Sequence, residues 1–184
     1  TKLYAHWNTI NYREAYNIFA WNGILFNHES PLRGETFVTK KIVSALCRIK
    51  QKNNEVLYLG NIYSKRDWGH ALDYVEAMWL MLQQNKPDDY VIATGKQYTV
   101  KNFINLVCKK LKINLKWKGK GLKEIGYWKD KPIIKIDPKY FRPTEVDSLL
   151  GSSNKARRVL KWKTKYDINM LIDEMITHEF DKWI

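Results

Sequence analysis

Three short stretches of this 184-residue sequence combine cations and carboxylates, two of them with a histidine, in patterns that suit a phosphate-bearing ligand. In "FNHESPLRGETFVTKK" (26–41), Asn27, His28, Glu29 and Arg33 fall between an apolar run and the start of a helix. Free backbone N–H groups and the helix dipole favour negative charge at such a place. A polar loop with an incidental histidine is the competing reading. In "LYLGNIYSKRDWGHALD" (57–73), the guanidinium of Arg66 offers paired donors to phosphate oxygens. Asp67 reads as a loop brace and Trp68 as a ring packed beneath the loop. In "YFRPTEVDSLLGSSNKARRVLKWK" (140–163), Arg142 precedes a proline, which biases its backbone to extended, and Glu145 follows three residues on. An arginine for phosphate and a carboxylate for ribose hydroxyls make a nucleotide-binding pair. A surface salt bridge between the two accounts for the pattern equally.

Other signals are weaker. "GKGLKEIG" (119–126) has the wrong spacing for a dinucleotide-binding loop and no clean strand-to-helix setting. His6 and His178 fall on predicted helices as surface or core filler, and no cluster has metal-ligand spacing. Cys47 and Cys108 lie far apart on predicted helices without a partner pattern, which suits a reduced, cytoplasmic setting. No apolar run approaches the length of a membrane span.

The elements that must position these residues alternate between strands and helices, which predicts an α/β fold. An amphipathic helix opens the chain, with Leu3, Trp7 and Ile10 near one face. Further helices are expected over 36–51, over 73–84 with Asp73 as cap, after Thr99, over a short piece near 152–163, and after Asp167. Strands are expected at 22–28, 55–60, 88–95 and 132–137. Long loops fall at 28–36, 60–72 and 137–152, and strand-following loops are where α/β proteins hold ligands.

The composition, 45% hydrophobic and 14% aromatic, is that of a globular chain. The net charge of +13 asks for an anionic partner, and the lysines are densest between 112 and 131. No zinc spacing, KH-type loop or RNP aromatic run marks a nucleic-acid module, so nucleic acid is not the expected partner.

In their order, "NGILFNHESPLRGETFVTKKI", "LYLGNIYSKRDWGHALDYVEAMWLMLQQ", "DYVIATGKQYTV" and "DPKYFRPTEVDSLLGSSNKARRVLKWK" resemble the second half of the extended short-chain dehydrogenase/reductases. Within that family the resemblance is to the GDP-mannose 4,6-dehydratases, from residue 1 to about 175. It implies the C-terminal part of an NAD(P)-binding Rossmann-type fold interleaved with a smaller α/β substrate-binding domain, the N-terminal cofactor-binding half being absent. These enzymes carry a Tyr-x-x-x-Lys pair on one helix. "TKLYA" looks like the tail of that helix, so Lys2 matches the catalytic lysine and the tyrosine would precede Thr1 by three residues. By the same resemblance, Lys2, His28 and Arg33 contact NADP. Asn27, Val38, Lys41, Leu59, Gly60 and Asn61 hold the GDP moiety, Arg66 and Arg142 clamp the diphosphate, and Glu145 takes the ribose. The family usually has an arginine where Leu32 stands. The implied reaction is redox-neutral: oxidation at the sugar C4, loss of water across C5–C6, and return of hydride to C6. The implied ligand is GDP-mannose or a related GDP-sugar, and the intact enzyme would be a dimer or tetramer. Two other readings stay open on the sequence: a non-catalytic nucleotide-sugar-binding relative, and a basic nucleic-acid-binding domain supported by charge alone. Half of a Rossmann sheet would also expose a strand edge and an apolar face.

Overall fold

The structure, a computed structural model, describes residues 1–52, 54–141 and 144–181, without the side chain of Lys52. In chain order its elements are α1 (Lys2–Tyr16), β1 (Asn22–Leu25), β2 (Asn27–Glu29), α2 (Val38–Lys52), β3 (Leu57–Leu59), β4 (Lys65–Arg66), β5 (Trp68–His70) and α3 (Ala71–Leu82). There follow β6 (Asp89–Ile92), β7 (Tyr98–Thr99), α4 (Val100–Lys110), β8 (Lys116–Lys118), β9 (Ile125–Trp128), β10 (Lys131–Ile136), α5 (Asn154–Val159) and α6 (Ile168–Asp181). The chain divides into two interleaved units, each assembled from three separate segments.

The first unit comprises Thr1–His28, Asp67–Lys96 and Leu150–Asp167. Its β1 and β6 pair in parallel, Asn22 opposite Asp89 through Leu25 opposite Ile92. Parallel strands need a crossover connection, which here carries α3. The core gathers Tyr74, Ala77, Met81, Tyr90, Ile92 and Trp162, and the Trp162 indole donates to the carbonyl of Asp73 at 2.8 Å. The opening helix forms as its periodicity predicts and closes on Asn17 in the left-handed region, yet none of its residues is buried: Leu3 is 72% exposed and Trp7 60%. Leu72, Val75, Trp79 and Leu82 make a similar exposed stripe on α3.

Two expectations change here. The strand predicted over 22–28 is interrupted at Phe26, whose N–H turns to the carbonyl of Ile92 at 3.0 Å. Asp73 is not the cap of α3. That helix starts two residues earlier, where His70, in extended conformation, accepts from the N–H of Leu72 through Nδ1 at 3.1 Å. Asp73 is buried in the first turn, and its carboxylate receives the N–H groups of Lys165 (3.0 Å) and Tyr166 (3.2 Å). The Asp73 carboxylate is engaged by this distant segment, and His70 supplies the cap in its place.

Asp67 is the brace the sequence suggests. Fully buried, it accepts from the N–H and hydroxyl of Thr94 at 3.0 and 2.6 Å, from the N–H of Gly95 at 2.9 Å and from that of Gly151 at 3.4 Å. One carboxylate so ties together two of the unit's segments, Asp67–Lys96 and Leu150–Asp167. Trp68 beside it is buried as well.

The second unit comprises Glu29–Arg66, Gln97–Leu149 and Ile168–Ile184. A four-stranded sheet runs in the order β3-β10-β9-β8, with β10 parallel to β3 and antiparallel to β9. The hairpin β8–β9 occupies the basic stretch that gave no clear element in sequence. Strand β4, paired with β7, and strand β5 likewise fall inside the stretch 60–72 expected as a loop. Helices α2, α4 and α6 pack together through Ile42, Leu46, Phe103, Val107, Ile172 and Met175. Thr99 caps α4 as predicted, accepting from the N–H of Asn102 at 3.0 Å. Lys40, itself buried, ion-pairs with Glu179 at 2.5 Å and donates to the carbonyl of Pro31 at 2.7 Å. Cys47 and Cys108 are free and buried in helices of this unit, and burial pushes both thiols up to about 12. No helix among the described residues is long and apolar enough to cross a membrane.

Asp67→Ala strands several buried donors at once. We expect it to lower the stability of the chain by about 3 kcal/mol, read from the midpoint of urea unfolding.

Candidate functional site

The second unit lays two chain segments side by side. The N–H of Asp137 donates to the carbonyl of Leu59 at 2.8 Å at one end. At the other, the N–H of Lys65 reaches the carbonyl of Asp147 at 2.7 Å, and that of Leu149 reaches the carbonyl of Lys65 at 3.1 Å. Residues 59–66 are thereby fixed along residues 137–141 and 144–149, and Gly60, Asn61, Tyr140 and Glu145 fall between the ties, with Arg66 next to the second.

Near the first tie, a Cβ on Gly60 would stand 2.3 Å from the carbonyl oxygen of Tyr140, so only glycine allows this approach. The ring of Tyr140 lies under Lys41, whose Nζ is 4.0 Å from the ring centroid and donates to the carbonyl of Tyr58 at 2.8 Å. Burial lowers the Lys41 ammonium below its ordinary value. Leu59 is buried, Val38 and Asn61 are half-buried, and the Asn61 side chain accepts from the N–H of Tyr63 at 2.9 Å. Near the second tie, Arg66 Nη2 meets Glu145 Oε1 at 3.1 Å, and Nη1 donates to the carbonyl of Lys65 at 2.8 Å. A fork that uses two of its five N–H groups on described residues has donors to offer a phosphate. The arrangement suits a ligand with an anionic centre at the arginine and a flat or hydroxylated part along Gly60 and Tyr140.

The segment 59–64 is anchored from behind by Glu124, only 3% exposed, which takes hydrogen bonds from the Tyr63 hydroxyl and from Lys101 Nζ. Burial opposes ionisation of Glu124, but the bonds from Lys101 and Tyr63 outweigh it and hold the carboxyl below its ordinary value. The same bond to Glu124 pushes the Tyr63 phenol up. Sequence reasoning passed over both Tyr140 and Glu124. Tyr140 stood inside the "YFRPTEVD" string; nothing local marked Glu124.

The residues expected at a cofactor fall in both units. Lys2 is exposed at the first position of α1, and His28 in β2 meets the carbonyl of Phe26 at 2.9 Å and packs on the ring of Tyr74. Both, with half-buried Asn27, belong to the first unit. Arg33 belongs to the second, where Nε pairs with Glu29 at 3.2 Å and the guanidinium lies 3.6 Å from the Phe37 ring centroid. Leu32 beside it is exposed. Arg142 lies outside the described residues. The first unit also holds an open cleft of about 580 Å³ lined by Thr94, Lys96, Gly151, Ser153 and Arg157, which the sequence did not single out. Arg157 there donates to Ser153 Oγ at 3.1 Å and to the carbonyl of Thr94 at 2.9 Å. Among the described residues no group of histidines, cysteines and carboxylates could hold a metal ion.

The family model for GDP-mannose 4,6 dehydratase matches residues 1–175, nearly the whole chain. The chain belongs to this family. It is 54% identical over 182 residues to the GDP-mannose 4,6 dehydratase of Dictyostelium discoideum, covering 98% of this chain and 51% of that protein. With the GDP-mannose 4,6-dehydratase of Sinorhizobium fredii the identity is 51% over 180 residues, 97% of this chain and 51% of the other. The chain thus spans about half the length of these curated relatives. Among solved structures, RMD from Pseudomonas aeruginosa complexed with NADPH matches with a TM-score of 0.78 at 17% identity, over 98% of this chain and 54% of that one. The dTDP-glucose 4,6-dehydratase of Bacillus anthracis in complex with NAD matches with a TM-score of 0.74 at 16% identity, over 96% and 50%. The fold is accordingly the Rossmann-type α/β fold of the extended short-chain dehydrogenase/reductases.

Two outcomes test this geometry. Gly60→Ala should displace Tyr140 from Lys41 and cost about 1–3 kcal/mol in thermal or urea unfolding. Because the folded pKa of Glu124 lies below its ordinary 4.5, its stabilisation is complete above that pH and is lost as pH falls through the folded value. Glu124→Gln should therefore flatten the fall in melting temperature on acidification below about pH 5.

Proposed function

We propose that this chain is the GDP-sugar-binding part of a GDP-mannose 4,6-dehydratase, a lyase that converts GDP-mannose to GDP-4-dehydro-6-deoxy-mannose. The observation that carries the reading is the meeting of Arg66 with Glu145, residues 79 positions apart in sequence and assigned from two separate motifs to the diphosphate and the ribose. Family membership supports the chemistry, and the glycine-dependent approach at Gly60 supports a shaped nucleoside seat beside them.

In this reading the second unit binds the nucleotide-sugar. Lys41, Val38, Leu59, Gly60 and Asn61 seat the nucleoside. Arg66 and Arg142 hold the diphosphate. Ligand phosphate entering at Arg66 would exchange its contact with Glu145, releasing that carboxylate to accept from a ribose hydroxyl. The first unit is the last part of a cofactor domain, and the exposed apolar stripes on α1 and α3 fit a face that further chain would cover.

NADP is the cofactor of this reading, and when bound it accepts hydride from the sugar and returns it. Lys2 and the imidazole of His28, in the first unit, have chemistry that fits phosphate and ribose and would hold one edge of it; the Arg33 guanidinium carries the same chemistry in the second unit. The 184 residues contain no glycine-rich strand-to-helix loop for its pyrophosphate. Lys2 would also lower the pKa of a tyrosine one helical turn before it. The intact protein would work in the cytoplasm as a homodimer or homotetramer.

Calorimetric titration of the chain with GDP and with NADP⁺ tests the proposal. We expect weak GDP binding and negligible NADP⁺ binding, with Arg66→Ala weakening GDP by about tenfold or more. A chain that ignores GDP, or binds NADP⁺ tightly, overturns it.

A further inference from the structure

The lysine-rich stretch is not used by the nucleotide-sugar reading. Residues 112–135 contain eight lysines and two carboxylates. One carboxylate, Glu124, is buried and committed to Lys101 and Tyr63; the other, Asp130, sits in the turn between β9 and β10. Strand alternation then sorts the rest by face. Trp117, Gly126, Trp128 and Ile134 point inward, and the opposite face is presented outward.

Two rows cross that outward face. Lys118 lies opposite Ile125, Ile125 opposite Lys135, and Lys135 opposite Tyr58; Lys116 lies opposite Tyr127, which lies opposite Pro132. Lys116 and Lys118 are exposed and about 7 Å apart along β8, and Lys118 and Lys135 are about 10 Å apart across two strand spacings. None of these three lysines forms an ion pair with a described residue. Like charges at such spacing repel, and the carboxylate next along this face, Asp137, is taken by the N–H of Lys139 at 2.9 Å. Two aromatic rings are interleaved with them: Tyr127, 5.2 Å from Lys118 Nζ at the ring centroid, and Tyr58, 41% exposed.

We propose that this outward face of the β3-β10-β9-β8 sheet is a docking surface for single-stranded nucleic acid. Such a strand offers what the face lacks, a flexible row of anions to set against the lysines. Its unstacked bases have flat surfaces for Tyr127 and Tyr58. A sheet face whose apolar residues, Ile125 and Pro132, are half-buried favours this ligand over a membrane, into which side chains would have to protrude. The neighbouring turn does carry one exposed apolar residue, Leu122, so a lipid surface is the alternative the experiment must separate.

The test is fluorescence anisotropy of a labelled oligo(dT) or oligo(U) of about twelve nucleotides with the full chain. With about four phosphates neutralised, affinity should fall about fifty-fold between about 50 and about 200 mM salt. Lys116→Glu with Lys118→Glu should weaken binding by at least about tenfold, and Tyr127→Ala by several-fold. The charge-matched control is Lys161→Glu with Lys163→Glu, both exposed in the first unit, and should change little. Circular dichroism confirms folding, and Lys116→Gln with Lys118→Gln provides a milder variant of the same test. Equal losses in both pairs of variants would reduce the effect to net charge and overturn the proposal. So would no oligonucleotide binding, or capture by phosphatidylserine-containing vesicles in its place.

Discussion

Everything at the candidate site depends on two irregular segments being held along each other by backbone hydrogen bonds at both ends. Neither segment belongs to a long strand or helix; local bonds, such as those closing the turn at 138–140, shape each one but do not hold it against the other. The bonds from Asp137 to Leu59 and between Lys65 and the 147–149 stretch supply that restraint. They also bring the backbones so close that Gly60 has no alternative beside the Tyr140 carbonyl. Given this contact, the stacking of Lys41 on Tyr140 and the pairing of Arg66 with Glu145 follow from side-chain reach. Glu124 acts one layer behind, where its two donors keep residues 59–64 from drifting.

The alternation of strands and helices was readable because long periodic stretches such as 36–51 and the capped helix after Thr99 carry their own local signals. The shortest strands were not. A pair such as Lys65–Arg66 with Tyr98–Thr99 exists only through its partner, and three-residue β8 in a run of lysines has almost no pattern to read. Asp73 shows a different limit. An aspartate two residues inside a helix start has the composition of a cap, but its distant duty to Lys165 and Tyr166 leaves no trace in the local sequence.

The site divides along the same line. Arg66 and Glu145 could be singled out by type, and the motif strings tied them to a nucleotide, but their contact spans 79 positions and belongs to the tertiary structure alone. Lys2 and His28 lie in one unit and Arg33 in the other, so nothing in their spacing could give a common site. Charge was legible only as a total. Its division into lysines spent on buried partners, such as Lys40 and Lys101, and lysines left on one sheet face needed the register of the strands.

The two buried thiols of the second unit give that division of labour an observable clock. With their acidity suppressed to about 12, Cys47 and Cys108 present almost no thiolate at neutral pH while the helices are closed. Each regains ordinary reactivity only when its helix opens to water. The rate at which an alkylating reagent consumes them is therefore a direct reading of how often the three-helix layer behind the candidate site comes apart, without any probe having to be introduced.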